Sequence, residues 1–244
     1  MTGISPTRVI GGRYVVLGVL VRDGGIAVWR AEDRVTGDQV AVTELRPPGG
    51  QGADERRLVR ERLLRAARAA GRIDHPAILC VHDIVTDGDT DHLVTELVDA
   101  PVLADRVAAE GPLAVAAATE LARQLAAALQ AAHAAGIVHG DVTPRTVLQP
   151  PGGCVRLAGL GVAEALDPAR RERDPAFAAP ELRTGGAATA ESDLWQLGAT
   201  LHVALHGRPP DGPVDPSGPL GEVLAGLLRD VPRERPTARQ VVAA

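Results

Sequence analysis

Three short segments lie close together in the second half of the chain: VHGDVTPRTVL (Val138–Leu148), CVRLAGLGVA (Cys154–Ala163) and DPAFAAPEL (Asp174–Leu182). Gly159 follows Asp141 by 18 residues, and Glu181 closes the series. The order and spacing of these segments carry most of the information in this sequence. The segments on either side define the fold around them.

The composition is that of a globular chain. The 244 residues are 45% hydrophobic and 23% charged, which excludes a disordered polymer and allows one large domain or two small lobes. The net charge of -5 argues against nucleic acid as a partner. Two widely separated cysteines indicate a reducing compartment. The chain contains no lysine and no asparagine, so any mechanism that needs either residue is excluded.

No targeting or membrane segment is evident within this chain. Residues 1–13 lack the cationic and then apolar pattern of a signal peptide. The most apolar long run, residues 113–138, contains charged and amide side chains and is too polar to cross a bilayer. We therefore expect a cytoplasmic location.

The first hundred residues predict a small sheet with one helix. Five β-rich runs are separated by turns, and a long amphipathic helix extends from Asp54 to about Gly71, with Leu58, Leu63, Leu64 and Ala67 on its apolar face. The predicted strands are Tyr14–Leu20, Ile26–Ala31, Gln39–Leu45, Ile78–Val85 and His92–Val98.

From Val102 onward the pattern becomes helical. A short helix precedes Gly111, an Ala/Leu-rich helix follows over about 114–135, and Glu191–His206 predicts another largely apolar helix. A loop over 207–219 leads to two final helices separated by Pro232.

Six segments, in order and in register, resemble motifs of the eukaryotic-like Ser/Thr protein kinases of bacteria, of the actinobacterial type. They are IDHPAIL, GIVHGDVTPRTVL (resembling HRDxxxxN), LAGLG (at the DFG position), AAPEL (resembling APE), ESDLWQLGATL and RERPTA. The resemblance covers nearly the whole chain. It implies an α+β, bilobal protein-kinase-like fold, with a five-stranded antiparallel N-lobe carrying the family's helix αC and a mostly helical, shortened C-lobe. It also implies a single domain over 1–244, with the N-lobe at about 12–98 and the C-lobe at about 99–244.

The residues that hold such a fold together are present. By resemblance, Glu181 pairs with Arg235, and Asp193 accepts hydrogen bonds from the backbone of the loop that carries His139 and Asp141. His139 and Leu160 then belong to an apolar spine that joins the lobes.

The residues that do chemistry in this family are mostly replaced. The resemblance places Thr43 at the phosphate-binding lysine, Ala66 at the glutamate of helix αC, Gly140 at the arginine of HRD, Thr146 at the metal-binding asparagine and Gly159 at the DFG aspartate. Asp141, the base of the family, is the remnant. The glycine-rich loop, VRDGGIAVW, is degraded, and Arg22 or Arg30 are the candidates to replace the lysine.

An apolar slot between the lobes has two interpretations. By resemblance it is a vestigial adenine pocket; alternatively, its side chains simply fill the core between the lobes. The residues concerned are Leu20, Val28, Ala41, Thr95, Glu96, Val98 and Leu148. With the phosphate and metal positions replaced, we expect no cofactor, no Mg²⁺ or Mn²⁺ site and little affinity for ATP.

The leading hypothesis is a pseudokinase: a catalytically inactive domain, not an enzyme, that works as a regulatory or scaffolding module in bacterial signalling or cell-envelope control. The alternatives are a switch that binds adenine nucleotide without metal or turnover, and a weak, unconventional Ser/Thr kinase. The resemblance implies protein partners, such as a phosphothreonine-reading domain or an active Ser/Thr kinase, and also attachment as the cytosolic part of a membrane-anchored protein. Thr184 and Thr189 are the candidate phosphorylation sites.

Overall fold

The computed structural model of the chain describes residues 8–23, 26–45, 53–162, 165, 174–217 and 220–243. Its first part is a six-stranded antiparallel sheet with the order β1-β2-β3-β4-β6-β5. The strands are β1 (Val9–Ile10), β2 (Tyr14–Asp23), β3 (Ile26–Asp33), β4 (Gln39–Leu45), β5 (Val81–Asp87) and β6 (Thr90–Glu96).

The five predicted strands are present, and β1 is an addition at the edge of the sheet. With two residues, β1 is too short to leave a periodic pattern in the sequence. Ile78 and Leu79 were predicted within the fourth strand, but their backbones pair with Leu157 in the second part of the molecule. This part of the predicted strand therefore connects the two lobes.

The two faces of the sheet pack against different partners. Ile10, Tyr14, Trp29 and Val94 belong to a buried cluster on one face, which we call the outer face. The opposite, inner face carries helix α1 (Ala53–Ala70), with Val59, Leu63 and Ala67 buried against the sheet. These positions recur every four residues, as a helix packed on a sheet requires.

One residue of the predicted apolar face is misplaced. Leu58 is 45% exposed, and its neighbour Val59 is 2% exposed and occupies the position in the core. Both side chains are apolar, so the periodicity alone does not decide which of the two adjacent positions faces the sheet.

The second part is mostly helical. Its elements are α2 (Leu103–Glu110), α3 (Val115–Ala134), β7 (Val147–Leu148), β8 (Arg156–Leu157), α4 (Pro180–Arg183), α5 (Ala190–His206), α6 (Gly221–Leu227) and α7 (Ala238–Ala243). Short 3₁₀ helices cover Pro175–Phe177 and Pro232–Glu234. Between α5 and α6, the described residues 207–217 contain no helix, so this lobe is short.

Helices α3 and α5 form the centre of the helical lobe. Leu125, Leu129, Leu197 and Leu201 are completely buried in one large cluster, which also takes in Ile78 from the first part. The α+β, two-lobed architecture predicted from the sequence is therefore confirmed. Within the described residues, no helix combines the length and the apolar character needed to cross a bilayer.

Candidate active site

The loop from His139 to Asp141 is held by a buried carboxylate at the start of α5. Asp193 Oδ2 accepts the backbone N–H of His139 at 2.8 Å, and Oδ1 accepts that of Gly140 at 2.7 Å. The His139 ring fixes the other side of the loop, because Nδ1 accepts the N–H of Asp141 (3.1 Å) and Nε2 donates to the carbonyl oxygen of Ala158 (2.9 Å). Hydrogen bonds to an ionised acceptor are about twice as strong as neutral ones, so this loop has a defined shape.

Three further side chains support the loop and were not predicted. His133 Nε2 lies 2.8 Å from Asp193 Oδ2. Gln196 Oε1 accepts the N–H of Val142 (3.0 Å), and the Thr200 hydroxyl donates to the Val142 carbonyl (3.1 Å). Asp193, Gln196 and Thr200 recur at i, i+3 and i+7, so they lie on one face of a helix. A polar stripe in an otherwise apolar helix is the sequence signal that could have identified Gln196 and Thr200.

The hydroxyl of Thr146, at the predicted metal-binding position, is used within the loop itself. Thr146 Oγ1 accepts the N–H of Thr143 at 3.0 Å and lies 3.0 Å from the carbonyl oxygens of both Asp141 and Thr143. The Asp141 carboxylate makes no hydrogen bond or ion pair to any other described side chain.

Two glycines and an alanine occupy three further positions where the family carries charge. Gly159 and Gly140 have φ values of +80° and +78°, in the left-handed region that glycine adopts without strain. A Cβ at Gly159 would meet no atom within 4 Å, whereas one at Gly161 would lie 3.4 Å from the Cβ of Ala66. Helix α1 is thus close to the segment around Gly161, but Ala66 presents a methyl group there and not a carboxylate.

The residues at the two metal-binding positions of the family, Thr146 and Gly159, do not form a metal site within the protein. Thr146 offers a hydroxyl that is already used, and Gly159 offers no side chain. Within the described residues, no group of three or more His, Cys, Asp or Glu could hold a metal ion.

The predicted adenine-pocket residues of the sheet lie side by side on its inner face. Ala41 pairs with Thr95 on one side and with Arg30 on the other, and Val28 pairs with Thr43. The remaining members are Leu20, which is 42% exposed, and Glu96, Val98 and Leu148, which are half-buried.

Glu96 and Leu148 are held near the junction of the lobes. Glu96 Oε1 accepts the N–H of Cys80 (2.9 Å) and pairs with Arg156 Nε (3.3 Å). Leu148 forms an isolated bridge with Val102. Of the glycine-rich loop, Gly24, Gly25 and the side chain of Arg22 lie outside the described residues.

Arg235 and Glu181 form a bidentate pair in the helical lobe. Arg235 donates from Nη1 to Glu181 Oε1 (2.6 Å) and from Nη2 to Oε2 (2.8 Å). Its other three N–H groups bond to the carbonyl oxygens of Arg229, Asp230 and Glu191, so all five donors are satisfied. Burial opposes ionisation of Glu181, but the hydrogen bonds from Arg235 outweigh it and lower the pKa of the carboxyl group.

Leu160 and the two candidate phosphorylation sites occupy different environments. Leu160 is 5% exposed and belongs to the large buried cluster of the helical lobe. Thr184 and Thr189 are exposed and lie between α4 and α5. The Thr184 hydroxyl donates to the carbonyl oxygen of Glu181 (2.9 Å).

Two cavities lie away from the cleft between the lobes. One, of about 340 Å³, is at the base of the helical lobe and includes His133 and Arg239 in its lining. The other, of about 360 Å³, lies between α1 and β5 and includes Arg68 and His82. Neither contains Asp141.

Comparison with known proteins identifies the family. The model of the protein kinase domain matches residues 23–212. Serine/threonine-protein kinase PkaA of Streptomyces coelicolor is 32% identical over 272 aligned residues, covering 96% of this chain and 49% of that protein. PrkC of Bacillus subtilis is 32% identical over 82% of this chain and 31% of its own length. PknA of Mycobacterium tuberculosis is 32% identical over 82% of this chain and 48% of its own length.

A solved structure supports the fold. Rad53 1-466 in complex with AMP-PNP superimposes with a TM-score of 0.75 at 22% identity, over 94% of this chain and 64% of that one. The chain spans about half or less of the length of the curated relatives above.

Two predictions are corrected by these findings. The prediction that the chain is not an enzyme is wrong, because the family model matches and the relatives are named Ser/Thr protein kinases. The prediction of no cofactor, with no Mg²⁺ or Mn²⁺ site and little affinity for ATP, is contradicted by the same relatives and by the AMP-PNP complex of the structural neighbour. Phosphoryl transfer depends on positioning and on charge stabilisation spread over many groups, so replaced side chains lower affinity and rate by finite factors.

Three findings identify the family: the buried hydrogen bonds from Asp193 to the catalytic loop, the match over residues 23–212 and the relatives named above. The chain belongs to the protein kinase domain family, with bacterial Ser/Thr kinases among its relatives.

Proposed function

We propose that this chain is an atypical Ser/Thr protein kinase domain that transfers the γ-phosphate of ATP slowly to a protein hydroxyl. The observation that carries the proposal is Asp141, a carboxylate without a side-chain partner among the described residues, in a loop fixed by Asp193 and His139. A pre-positioned base of this kind is a central requirement of the reaction.

The proposed reaction uses few groups of the chain. The substrate hydroxyl oxygen attacks the γ-phosphorus, the bond from that phosphorus to the β–γ bridging oxygen breaks, and ADP leaves. Asp141 accepts the proton of the attacking hydroxyl. Since Thr146 and Gly159 do not fit as metal ligands, the divalent ion enters the proposal as part of the substrate, bound to the phosphates of ATP.

The replaced positions set the expected rate. Protein kinases turn over at roughly 1–100 s⁻¹, and loss of one stabilising group in an active site costs about 10²–10³ in rate. Several such groups are replaced here and act as a unit, so their effects do not add. We expect turnover on the order of 10³-fold or more below the typical range.

The test is transfer of radiolabelled γ-phosphate to a general Ser/Thr protein substrate in the presence of Mg²⁺ or Mn²⁺. Asp141→Asn should abolish transfer, because the amide cannot accept the proton at neutral pH. Asp89→Asn, which changes an exposed carboxylate in the β5–β6 turn, is the matched control and should leave the rate unchanged. Wild-type protein without transfer, or transfer that survives Asp141→Asn, would refute the proposal.

A second function of the same domain is favoured by Thr184 and Thr189. Both are exposed and flank the short loop that follows the Glu181–Arg235 pair. We propose that these two threonines are modified by an active Ser/Thr kinase and then bound by a phosphothreonine-reading domain. Phosphorylation of the purified chain by a bacterial Ser/Thr kinase, followed by peptide mass spectrometry, tests the sites. Thr184→Ala and Thr189→Ala should remove the corresponding phosphopeptides, and modification confined to other residues would refute the assignment.

A further inference from the structure

We infer that Arg30 binds the ligand of the cleft between the lobes: its Nε–H donates a hydrogen bond to an acceptor atom on the base–ribose part of a bound nucleotide. The inference rests on the nucleotide binding proposed above. The contact differs from that of the family's phosphate-binding lysine, whose position Thr43 occupies.

The strand alternation places Arg30 on the inner face of the sheet. Its neighbours along β3, Trp29 and Ala31, are buried in the cluster of the outer face. Successive side chains of a strand point to opposite faces, so Arg30 projects toward the cleft, on the same face as Val28. In an antiparallel pair, directly opposite Cβ atoms lie about 4.5–5.5 Å apart, and Ala41 is the residue opposite Arg30.

Residues that pair across β3, β4 and β6 form rows on the inner face, and these rows show which end of the ligand Arg30 contacts. Ala41 is followed in the row by Thr95, and both are predicted to line the base. Thr43, at the position of the phosphate-binding lysine, pairs with Val28, one row nearer the β2–β3 turn. Arg30 is therefore on the base side of the lysine position and not on the phosphate side.

The guanidinium group of Arg30 has a donor to spare. Nε is buried and has no hydrogen-bond partner among the described residues. The ion pair of this side chain is a loose one, with Nη2 3.7 Å from Oδ2 of Asp99, whose side chain is 93% exposed. Exposed pairs of this geometry contribute little. Buried donors are nearly always paired in folded proteins, and we infer that the partner of this donor, which lies at a candidate binding cleft, arrives with the ligand.

The chemistry of the donor restricts the ligand atom. A guanidinium group donates and never accepts, and Arg30 lies on the base side, so its partner on adenosine is a ring nitrogen or a ribose oxygen. The predicted contact lies on the nucleoside, and adenosine should depend on Arg30 as strongly as ATP does.

The experiment compares binding of adenosine and of ATP with Mg²⁺ by calorimetry in wild type, R30L and R30K. A charge-assisted hydrogen bond corresponds to about a 10- to 100-fold change in affinity, so R30L should weaken both ligands by that factor. R30K should weaken them too, because lysine keeps the charge but has no donor at the position of Nε. The control R34L removes an exposed arginine in the turn after β3 and should bind both ligands like wild type.

Without ligand, R30L should melt at the same temperature as wild type or higher, since it removes an unpaired buried donor.

Each other outcome overturns the inference. A loss confined to ATP would place Arg30 at the phosphates, and wild-type affinity in R30L or R30K would exclude the Nε contact. A lower melting temperature of ligand-free R30L would make Arg30 a structural residue. If wild type transfers phosphate and R30L binds as tightly, only this inference fails; if wild type binds neither ligand, the proposed function fails with it.

Discussion

His92 is a buried imidazole of the sheet. It is fully buried in β6, and neither ring nitrogen has a side-chain hydrogen-bond partner among the described residues. Its ring centroid lies 6.2 Å from that of Trp29, and the guanidinium carbon of Arg8 lies 4.5 Å from the centroid of the same Trp29 ring. Burial, and secondly the charge of Arg8, lower the pKa of His92, while Glu44, Asp87 and a hydrogen bond with the backbone of Thr90 oppose this effect. The folded protein therefore prefers the neutral ring.

The resulting prediction is acid sensitivity of the sheet. A histidine with a lowered pKa binds fewer protons in the folded state than in the unfolded state. Its contribution to stability is therefore complete at high pH and is lost as the pH falls below the unfolded value of about 6.5. Urea denaturation at pH 8.0 and pH 5.5 should show a loss of stability in wild type that is clearly smaller in His92→Leu.

Two other histidines limit the difference in pH-dependent stability between wild type and His92→Leu. Burial also lowers the pKa of His75 and of His206, so part of the pH dependence should remain in His92→Leu. The control is His82→Leu, which changes an exposed histidine on β5 and should behave like wild type. An equal loss of stability in wild type and His92→Leu would exclude His92 as the acid-sensitive group.

Single residues differ in how well the sequence predicts their contacts. Asp193 and Glu181 occupy motif positions, and in the structure Asp193 accepts the N–H of His139 while Glu181 accepts from Arg235. Gln196 and Thr200 contact the same loop but belong to no motif, and only their spacing from Asp193 marks them. The orphan donor of Arg30 could not be predicted, because the absence of a partner is a property of three-dimensional packing.

At the scale of an element, the start of α5 is fixed by reciprocal side-chain hydrogen bonds. Thr189 Oγ1 accepts the N–H of Ser192 (3.2 Å), and Ser192 Oγ accepts the N–H of Thr189 (3.0 Å), which together form a capping box. The same helix carries Asp193 one residue later. The cap thus fixes the helix end from which the catalytic loop is held.

Removing the cap should cost stability in a residue-specific way. Thr189→Ala should lower the free energy of unfolding by about 1 kcal/mol, within a range of about 0.5–2 kcal/mol, because one N–H of the first turn loses its acceptor. Thr189→Ser keeps the acceptor and should lose much less. Chemical denaturation measures both, with Thr184→Ala as an exposed control outside the cap. Equal stabilities of Thr189→Ala and wild type would show that the cap does not contribute.

Element boundaries depend on the same kind of local chemistry. The turns and the alternation of apolar residues predicted β2 to β4 well, since each hairpin is local in sequence. The strand predicted to start at Ile78 instead begins at Val81, because the backbone around Ile78 is bonded to Leu157, a residue 79 positions further along. Pairing over such a distance leaves no periodic signal in either segment.

At the scale of the whole molecule, the two lobes share backbone bonds and core. The N–H of Leu79 donates to the carbonyl of Leu157 (3.0 Å), and the N–H of Leu157 donates to the carbonyl of Ala77 (2.8 Å). Leu157 is 1% exposed and belongs to the large cluster that also contains Ala77 and Ile78. We therefore propose that residues 1–244 form a single cooperative domain.

The chain carries a natural probe for this proposal, because it has two tryptophans and each lies in a different lobe. Trp29 is 4% exposed in the sheet, and Trp195 is 7% exposed in α5. In Trp29→Phe and Trp195→Phe, the remaining tryptophan reports on one lobe, while far-ultraviolet circular dichroism reports on the whole chain. For two-state unfolding, the fluorescence and dichroism curves of each variant should coincide in midpoint and slope.

Adding Leu157→Ala to each single-tryptophan variant then tests the coupling directly. Truncating a fully buried leucine costs about 2–5 kcal/mol, and in a single cooperative unit that cost must appear equally in both fluorescence transitions. Val35→Ala, which truncates a side chain that is 75% exposed, serves as the control and should shift neither transition. If Leu157→Ala lowers the midpoint reported by Trp195 and leaves that of Trp29 in place, the lobes unfold independently. The backbone bonds between Leu157 and residues 77–79 would then position the two lobes without coupling their stabilities.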